Sequence, residues 1–189
     1  MHTFLKSFRL ESSDKKGRGK MAKKIAAIVT DLVEDIELTS PKEALENAGN
    51  EVTTIGFEAN QTIKGKKGGE FTIDRSIDEV SPEDFDALLI PGGFSPDQLR
   101  KDQRFVDFVT YFLKNDQPLF AICHGPQLFI QTGLTEGRTM TAYDTVRPDV
   151  AYAGANVKDE AVVIDNQLVT SRTPDDLPEF NKAIVEILG

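Results

Sequence analysis

Apolar residues in this chain gather in short unbroken runs, and stretches with helical spacing lie between them. Lys23–Thr30 (K-K-I-A-A-I-V-T) is the first such run and reads as a buried strand. Ser40-Pro41 predicts a helix start, with Ser40 as N-cap and Pro41 in the first helical position. Ala44, Leu45 and Ala48 form its inward stripe, and Gly49 supplies a left-handed stop. Glu51–Phe57 is the next strand, and residues 58–82 read as turns and short strands, with Phe71-Thr72-Ile73 the best strand among them. Ala87–Ile90 is a further buried strand, ended by Pro91-Gly92-Gly93. Phe105, Val106, Val109, Phe112 and Leu113 recur at helical spacing, Pro118–Ile122 is again a strand, and Gln127–Thr132 begins a helix. Val162–Asp165 and Gln167–Thr170 predict a hairpin over Asp165-Asn166, before a closing amphipathic helix that carries Leu177, Phe180, Ile184, Ile187 and Leu188.

Strands alternating with helices predict an α/β three-layer sandwich on a mainly parallel sheet, and the expected architecture is one flavodoxin-like domain over residues 21–189. Ligands in such folds sit at the carboxyl ends of the strands. Three segments fall there: Thr30–Glu37, Pro91–Asp97 and Cys123–Gly125.

Composition narrows the chemistry. The 189 residues carry a net charge of −9, with 39% hydrophobic residues, one Cys and two His. Six bases and two acids fall in residues 1–20, so the remaining 16 bases and 29 acids give the body −13. That charge argues against a phosphate-binding surface for nucleic acid. The basic tail is too short in apolar residues for a membrane span or secretory core. It reads as a solvated, disordered arm, a weak organelle presequence, or an over-long gene start ahead of Met21. A soluble, cytoplasmic protein is expected. A lone cysteine excludes a disulfide framework and thiolate-rich metal centres, and neither a metal nor a cofactor is expected.

Ala121-Ile122-Cys123-His124-Gly125 has the form of a nucleophile elbow, in which small residues two before and two after the nucleophile admit a tight turn. The helix that follows is expected to favour the thiolate. His124 is the only histidine after residue 2, so no triad can recruit a histidine from elsewhere in the chain. Adjacent residues on an elbow point apart, which leaves His124 poorly placed to deprotonate Cys123. A carboxyl group from the acidic run Asp31–Glu37 is the alternative partner; if buried it has a raised pKa, donates a hydrogen bond to sulfur and shuttles a proton. Gly92 and Gly93 offer backbone donors for an oxyanion, although a simple turn explains them equally well.

Taken together, Glu34-Asp35-Ile36-Glu37, Leu89-Ile90-Pro91-Gly92-Gly93, Ala121–Gln127 and Thr170–Leu177 make the chain resemble the ThiJ/PfpI superfamily from about Lys23 to Leu188. Within that superfamily the resemblance is to the PfpI-type branch of intracellular proteases and general stress proteins. It implies a flavodoxin-like fold, Cys123 as nucleophile, Glu37 as the carboxyl facing it, and Gly92 and Gly93 as the oxyanion-binding turn. It also implies a homo-oligomer, a dimer or higher, in which an acid from a neighbouring subunit orients His124. Asp97 is the matching position and is shorter than the Glu of the archaeal proteases.

Activities attributed to similar proteins include peptidase, chaperone, glutathione-independent glyoxalase and deglycase. A glyoxalase needs one thiolate and one proton shuttle, which Cys123 and Glu37 supply; a peptidase also needs an acid for the leaving amine, hence His124 with Asp97. The leading expectation is an enzyme acting on small carbonyl compounds such as methylglyoxal or on their protein adducts. A cysteine peptidase and a redox-sensing or chaperone-like stress protein are the alternatives.

Overall fold

A computed structural model of the chain describes residues 21–189; every expectation for the basic tail lies outside the described residues. In chain order the elements are β1 (Lys24–Ile28), α1 (Asp35–Asn47), β2 (Glu51–Gly56), β3 (Thr62–Lys64), β4 (Glu70–Thr72) and β5 (Arg75–Ser76). Next come β6 (Ala87–Ile90), α2 (Ser95–Leu99), α3 (Gln103–Lys114), β7 (Leu119–Ile122), α4 (Gln127–Thr132) and β8 (Thr139–Met140). The chain closes with α5 (Arg147–Tyr152), β9 (Asn156–Val157), β10 (Val162–Asp165), β11 (Leu168–Ser171) and α6 (Leu177–Leu188).

Seven strands form one sheet in the order β10-β11-β7-β6-β1-β2-β5, parallel except for the β10–β11 hairpin. From β1 the chain first winds outward to β2 and then returns to build β6, β7 and β11 on the other side, so the winding reverses between β1 and β6. A doubly wound sheet opens a crevice at such a switch point, at the carboxyl ends of its strands. Side-chain alternation supplies the layers. Ala26 and Ile28 of β1 pack with α3 and α4 through Phe105, Val109, Phe112 and Phe129, whereas Ile25 and Ala27 pack with α1 and α6 through Leu38, Leu45, Phe180 and Ile184. This is the expected flavodoxin-like three-layer sandwich. Among the described residues no helix is long and apolar enough to cross a membrane.

Two boundaries differ from the sequence reading. Helix α1 starts at Asp35 rather than at Ser40, and Pro41 lies inside it, buried. Proline's fixed φ suits a helix, and its missing N–H forfeits a single intrahelical bond, here the one that would reach the Glu37 carbonyl. Ser40 caps nothing; its Oγ accepts a hydrogen bond from Asn181 Nδ2 at 2.8 Å and ties α1 to α6. The earlier start sets Glu37 in the first turn of α1, over the switch point. The hairpin turn is also one residue later than expected: Asp165 pairs with Leu168, so Asn166-Gln167 is the loop, with Asn166 at φ 54°. Strand β11 is interior and wholly buried, and the one-residue shift matches its pleat to both neighbours.

Candidate functional site

The turn after β7 places Cys123 at the mouth of the crevice. Its φ of 61° lies in the left-handed region, which costs an L-residue about 1–2 kcal/mol. Three backbone bonds hold it there: Cys123 N–H donates to Ser171 O (3.0 Å), Gly125 N–H to Ile122 O (2.9 Å) and Tyr143 N–H to Cys123 O (2.9 Å). The demand for small flanking residues is visible in the packing. A Cβ on Gly125 would lie 2.6 Å from Ile90 O and 3.2 Å from Ala121 Cβ. Gly125→Ala is therefore expected to lower stability by about 1–3 kcal/mol in urea denaturation, because neither contact is with a flexible side-chain end. An unchanged midpoint and slope would show that the elbow has slack.

Glu37 reaches the same point from α1. It is fully buried, and its Oε2 accepts the Gly92 N–H at 2.9 Å. Its Oε1 has no hydrogen-bond partner among the described residues. A side chain on Gly92 would collide with both partners, since its Cβ would lie 2.5 Å from Glu37 Oε2 and 2.7 Å from Cys123 Cβ. The glycine is thus the spacer that lets carboxyl and thiol approach. Burial pushes the Glu37 carboxyl up to about 7, aided by the nearby Glu34 charge and opposed by the Gly92 N–H, the Cys123 thiol and Lys66.

This shift has a sign in stability. A carboxyl held above its ordinary 4.5 binds its proton more tightly when folded, so its contribution is fully present below about 4.5 and is lost as pH rises through about 7. The loss is on the order of 3 kcal/mol. Urea denaturation of wild type and Glu37→Gln across that window is expected to show wild type losing stability relative to the amide; parallel pH curves would contradict the buried, protonated carboxyl.

Burial also pushes the Cys123 thiol up, and the negative charge of ionised Glu37 adds to this, while the Gly93 and His124 N–H groups pull it down. The sequence reading expected a helix start to favour the thiolate; α4 begins only at Gln127, and burial of the thiol opposes that effect. A proton on Glu37 removes the opposing charge and makes the carboxyl a donor, so thiol and carboxyl behave as a pair sharing one proton. The oxyanion donors also divide differently from the sequence reading. Gly92 N–H is taken by Glu37, which leaves Gly93 N–H, with His124 N–H beside it, next to the sulfur.

His124 stands closer to the nucleophile than expected, with Nδ1 3.2 Å from Cys123 Sγ. The contact joins consecutive side chains across the left-handed turn at Cys123. Its ring stacks on Tyr143 at 4.9 Å, and burial, then Lys66, hold its pKa below the ordinary value, with Asp97 acting the other way. Asp97 itself is exposed on α2, and no hydrogen bond joins it to His124 among the described residues.

Around these groups lies a cleft of ≈ 370 Å³, walled by Phe94, Tyr143 and Pro174 and overhung by Lys66. Sequence reading missed Lys66, Phe94 and Tyr143. The turn-forming run Gly65-Lys66-Lys67-Gly68-Gly69 gave no sign that it folds over the acidic loop. Pro174 is held by the Thr170–Leu177 motif, in which Arg172 pairs with Asp176 at 2.9 Å and with Asp159 at 2.8 Å.

Residues 23–187 match the sequence profile described as the DJ-1/PfpI family. An uncharacterized protein of Staphylococcus saprophyticus is 59% identical over 171 residues, covering 89% of this chain and 99% of its own. A solved two-domain protein of Anabaena variabilis, with DJ-1/ThiJ/PfpI-like and ferritin-like domains, aligns over 88% of this chain at 39% identity and a TM-score of 0.86. The match spans only 50% of that protein's length. Drosophila melanogaster DJ-1beta aligns over 89% of this chain and 91% of its own, at 26% identity and a TM-score of 0.83.

Proposed function

The chain belongs to the DJ-1/PfpI family, and we propose that it is a cysteine-dependent enzyme converting reactive α-oxoaldehydes such as methylglyoxal to hydroxy acids without glutathione. The observation that carries this reading is the pairing of Cys123 with a buried Glu37 held at about 7, the two separated only by Gly92.

Cys123 passes its proton to Glu37 as its sulfur bonds to the aldehyde carbon. The aldehyde oxygen becomes an oxyanion beside the Gly93 and His124 N–H groups and takes the proton back, giving a hemithioacetal. Glu37, again a carboxylate, removes the hydrogen from that carbon; the electron pair moves to the neighbouring carbonyl oxygen and forms an enediolate. Glu37 returns the proton to the second carbon as the hydroxyl proton on the first carbon passes to the second oxygen, giving the lactoyl thioester. Water cleaves its C–S bond to release lactate and the thiol. One carbon is oxidised as its neighbour is reduced, so no external redox partner is needed. A deglycase variant starts from the methylglyoxal adduct of a protein amine.

A second reading is favoured by one contact, the 3.2 Å approach of His124 Nδ1 to Cys123 Sγ. In a peptidase His124 would protonate the leaving amine, with Asp97 of a second copy orienting it in a homo-oligomer. Parallel incubation of the chain with methylglyoxal and a fluorogenic peptide, without glutathione, separates the readings. Lactate without cleavage is the expected result. Cleavage lost in His124→Ala, with no lactate, would establish the peptidase instead. Suppression of client aggregation by both wild type and Cys123→Ala, with neither product, would make the chain a chaperone-like stress protein.

A further inference from the structure

We propose that Lys66 is a substrate-binding residue of this cleft, its ammonium holding the second oxygen of a vicinal dicarbonyl while Cys123 attacks the neighbouring carbon. The inference rests on the carbonyl reading above and narrows its substrate class to molecules with oxygens on adjacent carbons.

The first support is the fixed position of the loop. Lys66 N–H donates to Val33 O at 2.8 Å, and Leu32 N–H to Lys64 O at 2.7 Å. The Asp35 carboxylate accepts from the N–H groups of Lys67 (2.8 Å) and Gly69 (2.7 Å), while Gly65 N–H donates to Gly69 O at 2.7 Å. A Cβ on Gly65 or Gly69 would strike that carboxylate, so the glycines are what let the loop close over it. Lys66 is thereby anchored to the segment that leads into Glu37, and its reach over the cleft is set before a ligand arrives.

The second support is the environment of the ammonium. Lys66 Nζ lies 3.3 Å from Glu34 Oε2 and 5.6 Å from the centre of the Phe94 ring, two partners at the cleft wall. An ammonium has three donors, and this arrangement engages one with Glu34. The others are available to a ligand oxygen, and among the described residues Lys66 is the only Lys or Arg lining the cleft. Its charge acts on both Glu37 and His124.

The chemistry needs a cation at this place. When Glu37 removes the carbon-bound hydrogen, negative charge moves to the oxygen of the second carbonyl. Gly93 and His124 N–H serve the first oxygen, and Lys66 is the donor left for the second. A simple aldehyde has no such oxygen and gains nothing from Lys66.

The test compares wild type, Lys66→Met and Lys66→Arg at a pH well above the Glu37 titration. It measures lactate from methylglyoxal and, separately, the reaction of Cys123 with dithiodipyridine, a neutral disulfide with no carbonyl. Lys66→Met is expected to lower kcat/KM by about 30- to 100-fold, the usual range for losing a hydrogen bond from a charged group, with Lys66→Arg recovering most of it. Disulfide reactivity and melting temperature are expected to stay within about twofold and a few degrees of wild type. Undiminished turnover by Lys66→Met, or an equal loss of disulfide reactivity, would overturn the inference and leave the carbonyl reading standing. Absence of lactate from wild type would overturn both.

Discussion

Cys123→Ala is expected to lose lactate formation from methylglyoxal by at least about 1,000-fold, to the background of the buffer. The size follows from the lack of a substitute. No other thiol exists in the chain, and the groups that remain in the cleft polarise a carbonyl but offer no sulfur to carry the thioester. The fold should survive, because the left-handed turn is held by backbone bonds from Ser171, Ile122 and Tyr143 that the substitution leaves intact. A melting temperature near wild type, measured on the sample used for the assay, separates loss of chemistry from loss of structure. Cys123→Ser is expected to be nearly as inactive, since a hydroxyl cannot be ionised by a carboxyl near 7. Undiminished lactate from the alanine variant would end the cysteine mechanism.

Glu37→Gln is expected to cost about 100- to 1,000-fold in kcat, the range for removing a positioned general acid–base group. Its signature is the pH profile. The productive pair holds one proton, so activity is lost when a second proton binds. Burial raises Glu37 to about 7, with Glu34 reinforcing the shift and Lys66, Gly92 and the thiol opposing it. Wild-type kcat/KM is therefore expected to rise with pH up to about 7 and then level, because the raised thiol titrates far above that point. The amide variant should lack this acid limb, and the apparent value belongs to the pair and not to either residue alone. An acid limb that persists in Glu37→Gln would assign the titration to His124.

Legibility in the sequence followed the physical range of each signal. The sheet was readable because Ile25–Val29, Ala87–Ile90 and Leu119–Ile122 are buried on both faces and must be apolar throughout. Steric demand made the elbow readable, since Ala121 and Gly125 have no room for larger side chains. Helix α1 was misplaced because a proline after a serine is a strong local start signal, whereas the packing of Leu38 and Glu37 that extends the helix is tertiary. Family resemblance selected Glu37 from among four acids; spacing alone could not, because its place in the site depends on Gly92, 55 residues further along the chain. Lys66 was invisible for the same reason. Its loop is held by Asp35 and Val33, contacts that no local pattern announces.

The central claim is that Cys123 bonds covalently to the carbonyl carbon and Glu37 then moves the proton that releases it. It is tested most directly by quenching wild type in acid during turnover of methylglyoxal and mapping the modified peptides by mass spectrometry, beside Glu37→Gln treated alike. The account predicts an acid-stable lactoyl thioester on the Cys123 peptide of wild type and none in Glu37→Gln, which forms no enediolate. An unmodified Cys123 in wild type that is producing lactate would contradict it.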